Sequence, residues 1–285
     1  MRTPLRAINR TPASAICSRR PMLSAPGSIL YDHRDQEEDA VKVAVIGGGL
    51  SGRAIQRAIV KQGATAGLFS RSTGFDVLRD NAAERLGQAD VIVEAMGCFT
   101  TSRKVATDFF TRSTRTIAAA ARGSGARHIL LSIVNCELPE VQGYGYFAGK
   151  TAQERVAREE SENLTIVRST QWFEFAEQNL DRMRFGPFAL VQAMIVKPVA
   201  LDAVADVIAE CTVGKRVGDS YEVAGPEVMT LWEMTQQVRR KGIVPVPLAI
   251  PGARWRAFRN GALVPGPEAE QIGPRFVDWL AAKGD

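Results

Sequence analysis

Histidine is almost missing from this 285-residue chain: there are two, His33 and His128, and neither has a partner at metal-ligand spacing. No zinc or iron centre is therefore expected. The four cysteines, Cys17, Cys98, Cys136 and Cys211, are scattered without a C-x-x-C pair. They read as free thiols of a reducing compartment, which makes the cytoplasm the expected location. No apolar run reaches the roughly 18 residues that span a bilayer, so no membrane partner is expected. Acidic residues are absent from the first 31 positions, which carry Arg2, Arg6, Arg10, Arg19 and Arg20. Those five arginines equal the formal net charge of +5 and leave the remainder balanced, so a nucleic-acid partner is not expected either.

Residues 1–40 lack apolar periodicity, carry Pro4, Pro12, Pro21 and Pro26, and end in the run "DHRDQEEDA". They read as a disordered or targeting-like extension. Its acid-free start resembles an organellar transit peptide, with import as the alternative location; a start codon set too far upstream, or a solvated tail without a role, is the plainer reading.

From residue 41 short apolar runs alternate with helical patterns. Strands are expected at 41–46, 64–70, 89–96, 127–134 and 164–169, with helices near 51–62, 79–87, 104–122, 144–160 and 171–182. Nearly continuous apolar strands separated by helices predict a Rossmann-like α/β fold, a doubly wound parallel sheet covered on both faces. The dinucleotide-binding core is expected to run over 41–183. Residues 184–285, looser and rich in turns, are expected to form a small C-terminal substrate-binding lobe that completes the fold.

Straight after the first strand, "GGGLSGRAI" sets Gly47, Gly49 and Gly52 in a G-x-G-x-x-G pattern opening a helix. A glycine turn lets backbone approach a pyrophosphate, and the helix start offers free N–H groups. Gly47, Gly49, Leu50, Ser51 and Gly52 are the expected ligands. The second strand ends in "FSRSTGFD", with no acid at its tip to bind a ribose 2′-hydroxyl. Ser70, Arg71, Ser72 and Thr73 suit a 2′-phosphate instead, with Arg53 as a further positive charge, so NADP(H) is expected over NAD(H). Asp76 is expected near the adenine, and Ala95, Met96 and Gly97 beside the cofactor at the end of the strand 89–96.

In "GYGYFAGKTAQERV", Tyr146 precedes Lys150 by four residues, which stacks both on one helical face. Hydride transfer to a carbonyl needs a proton donor for the developing alkoxide. Tyrosine can supply it if a neighbouring ammonium stabilises the phenolate. Ser132, in the strand 127–134, supplies a hydroxyl to hold the substrate oxygen. The expected catalytic set is Tyr146, Lys150 and Ser132, with Tyr146 and Lys150 also touching the cofactor.

The glycine loop, "HILLSIVN", "YFAGKTAQERV" and "LTIVRSTQWFEF" together resemble the short-chain dehydrogenase/reductase superfamily. "KPVALDAVADVIAE", "YEVAGPE" and "LVPGPEAEQIGPRFVDWLA" extend the resemblance to its atypical, NmrA-like NAD(P)H-binding branch over about residues 41–282. The resemblance places Ser132, Tyr146 and Lys150 where that superfamily keeps its catalytic serine, tyrosine and lysine. It implies an NADP(H)-dependent oxidoreductase passing hydride between nicotinamide and a carbonyl, alcohol or quinone-like small molecule. The chain departs from the family in its shorter glycine loop and in "AMGCF", which lacks the asparagine-centred motif. The branch also contains non-catalytic redox-sensing regulators, the alternative function; an epimerase or dehydratase is a third. Oligomeric state is not legible.

Trp172, Phe173 and Phe175 suit either an apolar pocket or core. Lys104 is expected to be a solvated surface residue, Cys136 unreactive, His128 structural and Asp202 a helix cap.

Overall fold

The apolar run at Lys42–Ile46 forms strand β1, whose last four residues are all buried. The structure, a computed structural model, describes residues 40–238 and 240–284; apart from Ala40, the extension expected at 1–40 lies outside the described residues. Helix α1 (Leu50–Lys61) follows β1 and buries Ser51, Gly52, Ala54, Ile55, Ala58 and Ile59, a stripe at helical spacing. Next come β2 (Thr65–Phe69), a single 3-10 turn at Arg71–Thr73, and the short α2 (Ala82–Leu86). Strand β3 (Val91–Glu94), helix α3 (Arg103–Ser124), strand β4 (Arg127–Ile133), helix α4 (Gly145–Glu160) and strand β5 (Leu164–Ser169) complete the alternating half.

The remainder comprises α5 (Phe175–Arg182), β6 (Arg184–Phe185), β7 (Phe188–Gln192), β8 (Ile195–Val196), α6 (Leu201–Thr212), β9 (Ser220–Ala224) and β10 (Met229–Thr230). Then follow α7 (Leu231–Val238), β11 (Val244–Leu248), α8 (Ala253–Arg259), β12 (Glu270–Gln271) and α9 (Phe276–Gly284).

The central sheet has the order β12-β9-β5-β4-β3-β1-β2, and every neighbouring pair is parallel. It is a Rossmann-like α/β fold. Helices α1 and α6 pack on one face and α3 and α4 on the other, as a parallel sheet buried on both sides requires. Strand order reverses between β1 and β3, so their carboxyl ends part and open a crevice, where ligands of such sheets bind.

The sequence beyond residue 183 divides between two places. α6, β9 and β12 return to the central sheet, while β6, β7 and β11 form a separate three-stranded sheet of order β11-β7-β6. Around that small sheet Phe173, Leu231, Met234, Phe258 and Phe276 build a second core. Asn135 joins the two parts. It has φ 59°, a left-handed conformation that asparagine tolerates, and its amide donates to Ala262 O at 3.0 Å and Val264 O at 2.9 Å.

Candidate active site

The crevice is a cleft of about 1560 Å³ running from the glycine loop across the ends of β1, β3, β4 and β5 to the small lobe. At its floor Gly47 has φ 131°, and a Cβ there would lie 2.8 Å from Ala95 O. A Cβ at Gly52 would meet Gly47 O at 1.7 Å. Both positions demand glycine because backbone closes on backbone. Gly49 differs: a Cβ there meets nothing within 4 Å. It is the N-cap of α1, has no side-chain capping bond, and no acid follows in the first turn. The helix start therefore presents its N–H groups and positive dipole end to open space, which fits a pyrophosphate. Leu50 and Ser51 also line the cleft, and the Ser51 hydroxyl donates to Ala95 O at 3.2 Å, tying the first turn of α1 to the residue that follows β3.

Past β2, Ser70, Arg71, Ser72, Asp76 and Arg79 line the same end. Ser70 and Ser72 hydroxyls lie 2.9 Å apart, and the Thr73 hydroxyl donates to Leu68 O at 3.0 Å, fixing the turn. Arg71 is exposed, and among the described residues no carboxylate pairs with it. Arg53, expected as a second phosphate cation, donates from Nε to Gly48 O at 3.1 Å and braces the loop. Asp76 accepts from Leu78 N at 3.0 Å and lies 3.8 Å from Arg79 Nε. Ala95, Met96 and Gly97 form the wall beyond β3.

Tyr146 and Lys150 lie on the first turns of α4 and both line the cleft. The Tyr146 ring is half-buried, stacked on Phe99 at 5.3 Å between centroids and edge-on to Phe110 and Phe147. Burial pushes its phenol well above the usual tyrosine value, with Cys136 adding to the rise and Arg182 opposing it, so the lowering expected from the Lys150 ammonium is not found. Arg182 in turn sits over the other partner of that stack, 4.3 Å from the Phe99 centroid. Lys150 is buried. Its Nζ donates to Leu131 O at 2.9 Å and Gln153 Oε1 at 2.8 Å and lies 4.7 Å from the Phe110 centroid. Burial brings the ammonium down to about 8, against the pull of Glu94, Cys136 and Glu154.

Ser132 lines the cleft as a residue, but its Oγ is sealed from solvent without a hydrogen bond of normal geometry. The hydroxyl faces the Glu154 carboxylate, which burial raises and Arg168, Ser132 and Arg158 together bring below the usual range. Alternation along β4 explains this: the side chain turns toward α4 rather than the cleft.

Trp172 and Phe175 line the cleft with Tyr144, Phe258 and Met194, whereas Phe173 is buried against Phe276 and Trp279. Cys136 is buried and its thiol pushed up to about 12, chiefly by burial, so it is no nucleophile. Lys104 is exposed on α3. His128 is buried and bonded to Ser161 and Glu94. Asp202 is not a cap: α6 begins after Ala200, and Asp202 in its first turn pairs with Arg57 at 3.3 Å. Phe99, Arg79, Arg182 and Glu94 carried no motif. Only Glu94 left a local signal, an acid ending the apolar run "VIVE". Among the described residues no group of His, Cys, Asp and Glu is placed to hold a metal, and no helix is long and apolar enough to cross a membrane.

No family model matches the chain, and no curated protein matches it. Solved structures do. The chain is similar to dTDP-4-dehydrorhamnose reductase from Bacillus anthracis in complex with NADP, at 15% identity and TM-score 0.63, over 85% of this chain and 97% of that one. It is similar to UDP-N-acetylglucosamine 4-epimerase from Bacillus cereus, at 12% identity and TM-score 0.62, over 85% and 95%. A third is the NADPH-dependent quinone oxidoreductase QOR2 from Escherichia coli, complexed with NADPH, at 13% identity and TM-score 0.59, over 85% and 100%. At such identities the likeness establishes the fold alone, the Rossmann-like α/β architecture described above.

Proposed function

We propose that the chain is an NADP(H)-dependent oxidoreductase acting on a carbonyl, alcohol or quinone-like small molecule. One observation carries the proposal: the uncapped helix start at Gly49 and the Tyr146 ring open onto one cleft. Gly47, Gly49, Leu50, Ser51 and Gly52 would hold the pyrophosphate. Ser70, Arg71 and Ser72 would hold the 2′-phosphate, Asp76 would lie toward the adenine, and Ala95, Met96 and Gly97 would form the wall. When bound, the nicotinamide supplies or accepts hydride. The phenol of Tyr146, protonated at neutral pH, donates the proton to the substrate oxygen in the reductive direction. Lys150 supplies positive charge and an N–H for the ribose. Trp172, Phe175 and Met194 exclude water from an apolar, ring-bearing substrate.

The similar structures complexed with NADP or NADPH support the cofactor assignment. The sealed hydroxyl of Ser132 favours a second function, an NADP(H)-binding redox sensor without turnover. NADPH oxidation in the presence of carbonyls and quinones separates the two. Tyr146→Phe is expected to keep NADPH affinity and lose at least a hundredfold in kcat, the usual scale of a proton donor. Equal turnover by both proteins would remove Tyr146 from the mechanism. Binding without turnover toward any acceptor would favour the sensor.

A further inference from the structure

Beneath the cleft lies a set of polar groups that the steps above leave unused. Glu94 at the end of β3, Thr114 on α3, His128 on β4 and Gln153 on α4 are each at most 1% exposed. Groups of this kind survive burial only when their bonds are made. Glu94 Oε1 accepts from Gln153 Nε2 at 2.6 Å and from the Thr114 hydroxyl at 2.8 Å. Its Oε2 lies 3.2 Å from His128 Nε2, and His128 Nδ1 lies 2.8 Å from Ser161 Oγ. An imidazole donating from Nε2 to Glu94 and accepting at Nδ1 from Ser161 satisfies both ring nitrogens. On the other side, Gln153 Oε1 accepts from Lys150 Nζ at 2.8 Å. The amide thus turns its oxygen to the ammonium and its nitrogen to the carboxylate, bridging opposite charges.

We propose that Glu94 is a positioning residue, the buried counter-charge that, through the Gln153 amide, holds the Lys150 ammonium charged and in place at the floor of the cleft. The proposal rests on the assignment of Lys150 to the cofactor side of the site. The other charged or titratable groups around Lys150 do not serve in this way. Glu154, on the same helix, is neutralised by Arg168 of β5 at 2.6 and 2.8 Å and by Arg158 at 3.0 Å. Cys136, beyond β4, is a protonated thiol at neutral pH. From α3 the ammonium meets the face of Phe110, and Tyr146 on α4 carries no charge at that pH. Glu94 is also the strongest influence opposing the burial of Lys150. Two of the three N–H groups on Nζ are spent on Leu131 and Gln153, which leaves one for a ligand.

The test is the titration of Lys150 followed by NMR in protein labelled with ¹³C on its lysines, the signal assigned by its loss in Lys150→Met. Removing a nearby anion lowers the pH at which an ammonium gives up its proton. Glu94→Gln is therefore expected to move the midpoint down by about one pH unit or more, and Glu94→Asp to move it less. The alkaline limb of kcat/KM should move down with it, whereas a merely structural role would lower activity equally at every pH. An unchanged midpoint in folded Glu94→Gln would overturn the proposal. If Glu94→Gln does not fold, the double variant Glu94→Gln/Lys150→Met decides: recovered folding supports the pairing, and a double variant as unstable as the single contradicts it. The titration needs no substrate, so it stands or falls apart from the turnover of Tyr146→Phe.

Discussion

Arg71 shows how much one side chain decides. It lines the cleft beside Ser70 and Ser72, exposed and, among the described residues, without a carboxylate partner. A guanidinium left unpaired at the tip of β2 is suited to a phosphate ester and gains nothing from a free 2′-hydroxyl. Arg71→Ala is expected to weaken NADPH binding about tenfold to a hundredfold, from a charge-assisted bond of about 1.5–3 kcal/mol, and to leave NADH nearly unaffected. Fluorescence titration with both cofactors checks this, and an equal response would show that the arginine reads no 2′-phosphate. Neighbouring Arg53 has the same charge but does not line the cleft, and its Nε donates to Gly48 O. Sequence spacing places both arginines near the cofactor, and only the structure shows that it is Arg71 that lines the cleft. The same holds for Ser132, legible as a hydroxyl near the strand end while its rotation toward Glu154 is not.

Helices α3 and α4 set the height at which Tyr146 and Lys150 stand. They approach closely because Gly149 has no side chain: a Cβ there would lie 2.7 Å from Phe110 Cδ2 and 2.8 Å from the Ala106 Cβ. Phe110 is also the ring over which the Lys150 ammonium sits. Gly149→Ala should gain about 1 kcal/mol of helix propensity and lose more to overpacking. The expected net effect is a destabilisation of about 1–3 kcal/mol in urea denaturation, with weaker NADPH binding as α3 is pushed off α4. A variant as stable as the parent would show that the helices can part without cost. These elements were legible in the sequence almost to their ends: the runs at 127–134 and 164–169 became Arg127–Ile133 and Leu164–Ser169, and 104–122 became Arg103–Ser124. Apolar periodicity is a local signal, and these elements bury a face along their whole length.

Across the molecule, the glycine turn, the strand tips and the α4 pair meet because all the central strands point the same way. That much follows from alternation of short apolar strands with helices. The division of the chain after residue 183 does not. β12 has two residues and β9 five, and both join the sheet only through partners far away in sequence. The expected lobe at 184–285 therefore shares its residues with the core, and Asn135 pins the two together. Glu94 left no more than an acid at the end of an apolar run for a related reason: its partners come from α3, β4 and α4, and no spacing connects them. What the scaffold presents at the centre is a helix N-terminus with room in front of it. Calorimetric titration of the full chain with NADPH, run beside Gly49→Asp, tests this most directly. The substitution fits sterically and offers the helix a cap, but sets a negative charge where the pyrophosphate would lie. The account predicts one-to-one saturable binding to the parent and none to a variant that stays folded; binding of equal strength to both, or to neither, would contradict it.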